Sequence, residues 1–366
     1  MRRALAELVH AIRGELAELS LSGPRLLQAN IAALAVGLAL VFALLLRLNN
    51  PWWAAISAFI CVQASHPQSW QRGGLRIVGT LVGAVLSFAL VPWAVYDPVA
   101  TVLLLFATGT LAILGALLSP HGYAWLLGGI TAMIVTLGSL DDPTLALSIA
   151  FYRAVEIVLG TATALLVTWL LAPAEGEVVA PPPGWHSLLG GNWHVLSHAM
   201  RTGMAVAAVP LVWRQLELPN LSQMAISIGA VMAVPTLTGV SEKDQSAIAQ
   251  RMLQRVAGCI LGGCFGTMVL FLPISQSFVP WLLLLMAGTW LAMQIQNGPY
   301  GIAGVGSQAA IALILTLVQD TGPADSLLPA MNRIAGMMGA MGLLVLINLL
   351  LGPPIGAQSV REEKQG

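Results

Sequence analysis

The chain has 366 residues, 57% of them apolar and only 9% Asp, Glu, Lys or Arg, with a formal net charge of zero. A soluble domain carries about 25% charged residues, so lipid rather than water is the expected solvent, and the neutral balance leaves no basic field for nucleic acid. Cys61, Cys259 and Cys264 lie in apolar stretches without paired spacing and read as packing residues, not as a disulfide or zinc framework.

Residues 1–25 come first. Leu5, Leu8, Val9, Ile12, Leu16 and Leu19 recur at three- and four-residue steps opposite Arg3, Glu7 and Glu18, which predicts an amphipathic helix. It either lies on the membrane face or packs beneath the bundle. The block 26–46 follows, long enough to cross a hydrocarbon core of about 30 Å. With no small-x-small cleavage site before Arg47, it reads as a retained first membrane helix. Further spans are predicted at 52–65, 75–93, 98–118, 122–140 and 149–171. Residues 173–198 form a linker, with Glu175, Glu177, Pro181-Pro182-Pro183 and Gly190-Gly191 too polar and too punctuated to span. A second set is predicted at 199–213, 221–237, 252–272, 278–296, 301–319 and 330–351, before a tail at 353–366. The spans 52–65 and 199–213 are short for an upright helix and are expected to be tilted, extended or broken.

The two sets are repeats. Arg76-x-x-Gly79-x-x-x-Gly83 matches Arg255-x-x-Gly258-x-x-x-Gly262, and Ile56-Ser57 matches Ile226-Ser227. Gly109-Thr110 matches Gly288-Thr289, Tyr123 matches Tyr300, Asp141 matches Asp320 and Arg153 matches Arg333. Six spans per repeat is an even number, so the repeats run parallel rather than inverted. The expected fold is an all-α polytopic membrane protein of two parallel six-helix repeats, 26–172 and 199–352, with about twelve transmembrane helices. With the N-terminus inside, Arg2, Arg3, Arg13, Arg25, Arg72, Arg76, Arg201, Lys243, Arg251, Arg255, Arg361 and Lys364 fall on the cytoplasmic side. Arg47, Arg153, Arg214 and Arg333 fall outside, among acidic connections containing Asp97, Asp141, Asp142, Glu217, Asp320 and Asp325. That asymmetry satisfies the positive-inside rule and places linker, tail and both termini in the cytoplasm.

The run Asn50-Pro51-Trp52-Trp53-Ala54-Ala55-Ile56-Ser57, followed by Arg76-x-x-Gly79-Thr80-x-x-Gly83, resembles the membrane half of the fusaric acid resistance and aromatic acid exporter family. The resemblance covers the first half well and the second more loosely. It implies a bacterial inner-membrane efflux protein for aromatic carboxylic acids, working with a periplasmic adaptor and an outer-membrane channel. Plant anion channels of the malate type look like distant relatives. Larger members carry a substantial soluble domain where this chain has a short linker and tail.

An anion crossing a bilayer needs its charge compensated, and Arg does this while staying protonated and gripping carboxylate bidentately. Arg76 and Arg255 are expected to begin the third and ninth spans, either as substrate-binding residues or as boundary arginines on lipid headgroups. Arg153 and Arg333 begin the sixth and twelfth spans against the charge trend, and Tyr123 and Tyr300, in breaks that either line a cavity or simply turn, complete the candidate substrate-binding set. Glu156 lies one turn from Arg153. It is either half of a structural ion pair or a proton carrier coupling anion efflux to proton inflow. Asp141 and Asp320 are outer gates for Arg153 and Arg333, helix-end caps, or residues of solvated loops. His194 and His198 share a helix face near His186, but no third ligand has metal-site spacing, and they read as interfacial residues. No nucleophile elbow or phosphate loop appears, so neither catalysis, ATP hydrolysis nor a cofactor is expected.

The leading reading is a secondary exporter of small organic anions, aromatic carboxylic acids foremost, with Glu156 as the candidate for proton coupling; the alternatives are a passive anion channel and a scaffold subunit of an envelope efflux assembly. The partners expected are the anion, membrane lipid, the adaptor and channel the resemblance implies, and further copies of the chain.

Overall fold

The computed structural model describes residues 2–174, 185, 193–216, 221–233, 241–273, 277–319, 322–323 and 328–351. Most of the linker with His186, Glu217, Asp320, Asp325, the tail from 352 and the side chains of His194, Arg214, Lys243 and Arg333 lie outside that set. The helices are α1 (Arg2–Ala17), α2 (Gly23–Leu45), α3 (Pro51–Cys61), α4 (His66–Ala94), α5 (Pro98–Leu118), α6 (Gly122–Gly138) and α7 (Leu145–Leu171). Then come α8 (Trp193–Leu216), α9 (Leu221–Met232), α10 (Ser241–Leu270), α11 (Phe278–Gln296), α12 (Ala303–Leu317) and α13 (Leu328–Leu351). Two-residue strands Val318–Gln319 and Gly322–Pro323 pair antiparallel between α12 and α13. The chain is an all-α polytopic membrane protein; among the described residues one amphipathic helix is followed by six and six.

Breakers in the sequence set several helix starts. Pro occupies the first turn of α2, α3, α4 and α5, where its missing N–H costs nothing. Asp97 caps α5 by accepting the Val99 N–H at 2.9 Å. At the end of α2, Arg47 adopts a left-handed φ of 50° and the Leu48 N–H returns to the Ala43 carbonyl, closing the helix before Asn50-Pro51 opens α3.

Among the described residues eight helices are long and apolar enough to cross a membrane. The shorter apolar helices Pro51–Cys61, Gly122–Gly138, Ser222–Met232 and Ala303–Leu317 are the second and fifth of each repeat. At about 1.5 Å per residue, the eleven residues of α3 reach only about 16 Å, half the hydrocarbon thickness. Helix ends at membrane depth are tolerated only inside protein, and α3 packs against α2, α7 and α12. The 199–213 span is instead a full helix, because α8 begins at Trp193 and takes up residues 193–198 of the expected linker.

The repeats exchange helices across their seam. The first helix of each packs on the fourth of the other, α2 on α11 and α8 on α5, and the second packs on the other's fifth, α3 on α12 and α9 on α6. Reciprocal contacts of this kind are what a pseudo-two-fold relation between parallel repeats produces. The cores follow the exchange. One joins Ala35, Phe59 and Ala164 of the first repeat to Trp281, Leu285 and Leu313 of the second; the other joins Leu105, Ile113 and Met133 to Val206, Ile228 and Leu344. The two sequence repeats therefore do not fold around separate cores.

Outer faces are apolar, as on α4 where Val78, Val82, Val85 and Leu86 are exposed. Exposed Trp93 and Tyr96 lie toward one end of the bundle, and Trp70 and Trp169 toward the other, the pattern of interfacial aromatic belts. The amphipathic α1 packs beneath the bundle, with Leu8 buried against Ile295, Ile302 and Val305.

Candidate anion site

Three polar residues enter the bundle interior because their helices start earlier than the apolar blocks suggest. α4 begins at His66, so Arg76 is its eleventh residue, about 15 Å along rather than at the start. α7 begins at Leu145, placing Arg153 ninth and Glu156 twelfth. Arg76 and Arg153 are each 3% exposed and Glu156 is 0% exposed. A headgroup role for Arg76 is thereby overturned: the polar residues Gln68, Gln71 and Arg72 extend the helix before the apolar run begins.

The short helix α3 gathers these groups. Arg76 donates through Nη2 to Ser57 Oγ at 3.2 Å, and Ser57 donates to the Trp53 carbonyl at 2.6 Å. Arg153 lies over the Trp53 ring, 3.6 Å from its centroid. Glu156 accepts the Asn50 N–H at 2.8 Å and so holds the N-terminus of α3. Arg76 and Arg153 thus meet α3 one helical turn apart, at Ser57 and Trp53, with Glu156 at its N-terminus. On the α6 side, Arg76 Nη1 donates to the Tyr123 hydroxyl at 2.8 Å, while Arg72 lies 4.6 Å from the centre of the same ring. Trp53 also packs against Ile130, Ile134 and Ile226, bringing α6 of the first repeat and α9 of the second to the site.

Chemically, such an arrangement can accept an anion. Two buried guanidiniums converge with one carboxylate, and Arg153 Nε and Nη1 are buried without a hydrogen-bond partner. A buried donor left without a partner costs about 1–3 kcal/mol, more for a charged group, and a ligand carboxylate would supply the acceptors.

The second repeat departs from this pattern. A methyl on Gly79 would strike the Ala124 carbonyl and one on Gly83 the Gly128 carbonyl; on Gly258 and Gly262 the obstacles are the Val305 and Ala309 carbonyls. Packing thus pairs Ala124 with Val305, which makes Gly304 the counterpart of Tyr123 and leaves the Tyr123–Tyr300 match one helical turn out of register. Tyr300 instead donates its hydroxyl to Glu18, just past α1, at 2.8 Å, a bond that pushes the phenol pKa up. Arg255 is half-buried as the fifteenth residue of α10. Arg333 belongs to α13, its side chain outside the described residues. Gly336 stands where the first repeat has Glu156.

Asp141 is exposed in the α6–α7 loop. Its neighbour Asp142 accepts the Thr144 N–H and hydroxyl at 3.0 and 2.6 Å, which lowers its pKa. The exposure of Asp141 fits the solvated-loop reading, and Arg153 stacks on Trp53 rather than reaching the loop. His198 binds the Met232 carbonyl at 2.7 Å and Arg251 donates to the Ala233 carbonyl at 2.7 Å, so both satisfy the last carbonyls of α9. Among the described residues no group of His, Cys, Asp and Glu could hold a metal. Sequence reasoning missed Trp53, Ser57 and Arg72 as site members. The Ser57–Ser227 match was the available signal for one of them; Arg72, one turn from Arg76, was visible only as a cytoplasmic charge.

With this geometry in place, comparison with known proteins is decisive. The Fusaric acid resistance protein family matches residues 25–180, and the Fusaric acid resistance protein-like family matches 221–347. The chain belongs to the fusaric acid resistance protein family. It is a multi-pass inner-membrane protein of a transporter family. The p-hydroxybenzoic acid efflux pump subunit AaeB of Edwardsiella tarda is 33% identical over 172 residues, covering 42% of this chain and 26% of that protein. Subunits of the same name from Edwardsiella ictaluri and Escherichia coli are 35% and 29% identical, over 40% and 38% of this chain and 24% and 23% of theirs. The chain thus spans about a quarter of the length of the curated relatives it matches. No solved structure matches it.

Proposed function

We propose that the chain exports small organic anions, aromatic monocarboxylates such as p-hydroxybenzoate foremost, with the carboxylate seated between Arg76 and Arg153. The observation that carries this is the convergence of two buried guanidiniums on α3, one with donors to spare. A buried cation pair opposed by one carboxylate is costly unless an anion joins it, which favours anion occupancy over a purely structural role. The relatives' printed function supports the same substrate class.

Glu156 supplies a route to proton coupling. An arriving carboxylate competes with Glu156 for Arg153, and the displaced carboxyl, buried and less well compensated, takes up a proton. The bond from Asn50 then weakens, because a neutral acceptor holds an N–H less strongly than a carboxylate does, and α3 loosens at its start. Orientation follows the charge asymmetry: Arg2, Arg3, Arg13 and Arg25 mark the end carrying α1 as cytoplasmic, and both termini lie there. In this reading the chain has no catalytic chemistry of its own and works with a periplasmic adaptor and an outer-membrane channel. Accumulation of labelled hydroxybenzoate by inside-out vesicles, with and without a proton gradient, tests it. Gradient-dependent accumulation is expected; none above control vesicles would reject the exporter.

A further inference from the structure

At the end of the bundle that carries α1, a cavity of about 510 Å3 opens on the seam between the repeats. That lies within the range of about 300–1,000 Å3 usual for small-molecule sites. Arg25 and Gln28 of α2, Gln63 and Gln68 around the α3–α4 turn, and Gln296 and Asn297 at the end of α11 line it. Val62 and Gln63, just past the end of α3 at Cys61, line the cavity, and Ser57 lies four residues back, about 6 Å along the helix, so the cavity lies on the way to the buried arginines.

Beside this cavity a carboxylate is already bound. Glu15 of α1 has a fully buried side chain; one oxygen accepts from Arg25 Nη2 at 2.6 Å and the other from the Tyr300 N–H at 2.8 Å. A guanidinium with an adjacent backbone N–H is a carboxylate receptor, and both donors belong to the bundle rather than to α1. The receptor is also positioned without α1, since Arg25 Nε is anchored on the Gln294 carbonyl of α11 at 2.8 Å. Its occupant is carried by α1, which leaves Val9 and Leu16 exposed, and Glu18 just past α1 also touches the receptor, its carbonyl accepting from Arg25 Nη1 at 3.1 Å and its carboxylate from the Tyr300 hydroxyl.

We propose that this is a second carboxylate site, on the access side of the buried pair, which Glu15 fills in place of substrate and a small organic monocarboxylate takes over when α1 lifts. The proposal rests on the reading of the chain as an organic-anion transporter. The amide-lined cavity receives the remainder of the ligand, and neutral dipoles around one cation bind an anion firmly enough to admit it and weakly enough to pass it on.

The test is alkylation of Gln63→Cys, repeated at Gln28→Cys, by an impermeant maleimide in inside-out vesicles of the full chain, with benzoate as the protecting probe. Benzoate should slow alkylation, and Glu15→Gln should lower the half-protecting concentration at least fivefold by removing the internal competitor. The swapped pair Glu15→Arg with Arg25→Glu keeps an ion pair under α1 and should abolish protection. Equal half-protecting concentrations with and without Glu15→Gln, or protection surviving the swap, would overturn the proposal. Arg153→Gln separates the two readings, because it should stop transport and leave protection intact. Transport indifferent to Arg153, with protection still governed by Glu15, would sink the seat between Arg76 and Arg153 and leave the second site standing; no transport by the parent chain, with protection still governed by Glu15, would sink the transport reading.

Discussion

The guanidinium of Arg153 on α7 lies 3.6 Å from the ring centroid of Trp53 on α3. A desolvated cation–π contact is worth about 2 kcal/mol, and here it fixes the plane in which the free Nε and Nη1 donors point. Trp53→Leu should raise the apparent KM for the organic acid by about tenfold while the protein remains folded, and Trp53→Phe should fall between. Concentration-dependent uptake into inside-out vesicles reads both. An unchanged KM in Trp53→Leu would show that the stack plays no part in anion binding.

Glu156 accepts the N–H that opens α3, which gives its substitutions separable effects. Glu156→Gln keeps an acceptor for Asn50 and should preserve the fold while releasing transport from the proton gradient. Glu156→Ala loses the acceptor and should cost about 1.5–3 kcal/mol, the range for hydrogen bonds to charged groups. Proton-driven efflux unchanged in a folded Gln variant would remove Glu156 from coupling.

Arg76 divides its donors between Tyr123 and Ser57, a geometry a lysine ammonium cannot reproduce. Arg76→Lys should therefore lose most transport despite keeping the charge, and Tyr123→Phe should lose much less. Equal activity in Arg76→Lys and the parent would mean that charge alone matters there.

Membrane orientation is checked by labelling. Thr144→Cys in the α6–α7 loop should react with an impermeant reagent added to intact spheroplasts, and Ala180→Cys in the linker should react only after lysis. The reverse pattern would invert the topology.

Much of this was legible in the sequence. The spans 98–118 and 278–296 coincide with α5 and α11 because the apolar block and the helix share their boundaries, with Asp97-Pro98 capping the former. α4 was misplaced for the opposite reason: its first turns carry Gln68, Gln71 and Arg72, which a hydropathy reading assigns to a loop although they are helical. That error put Arg76 at the boundary instead of inside. Tyr300 was misassigned because residue identity and helix packing give registers one turn apart, and only the contacts of Gly258 and Gly262 reveal the second. The meeting of Arg153 with Trp53 depends on α3 packing against α7, a long-range contact with no local signature.

The most direct measurement is a double-mutant cycle on the two buried arginines. Arg76→Gln and Arg153→Gln are assayed singly and together for uptake of labelled hydroxybenzoate by inside-out vesicles, with membrane abundance matched. If both guanidiniums grip one carboxylate, each single change should cut kcat/KM by about 100-fold, and the double variant should be scarcely worse than the poorer single, since groups acting as a unit are non-additive. Retention of near-parental transport by either folded single variant would contradict the account.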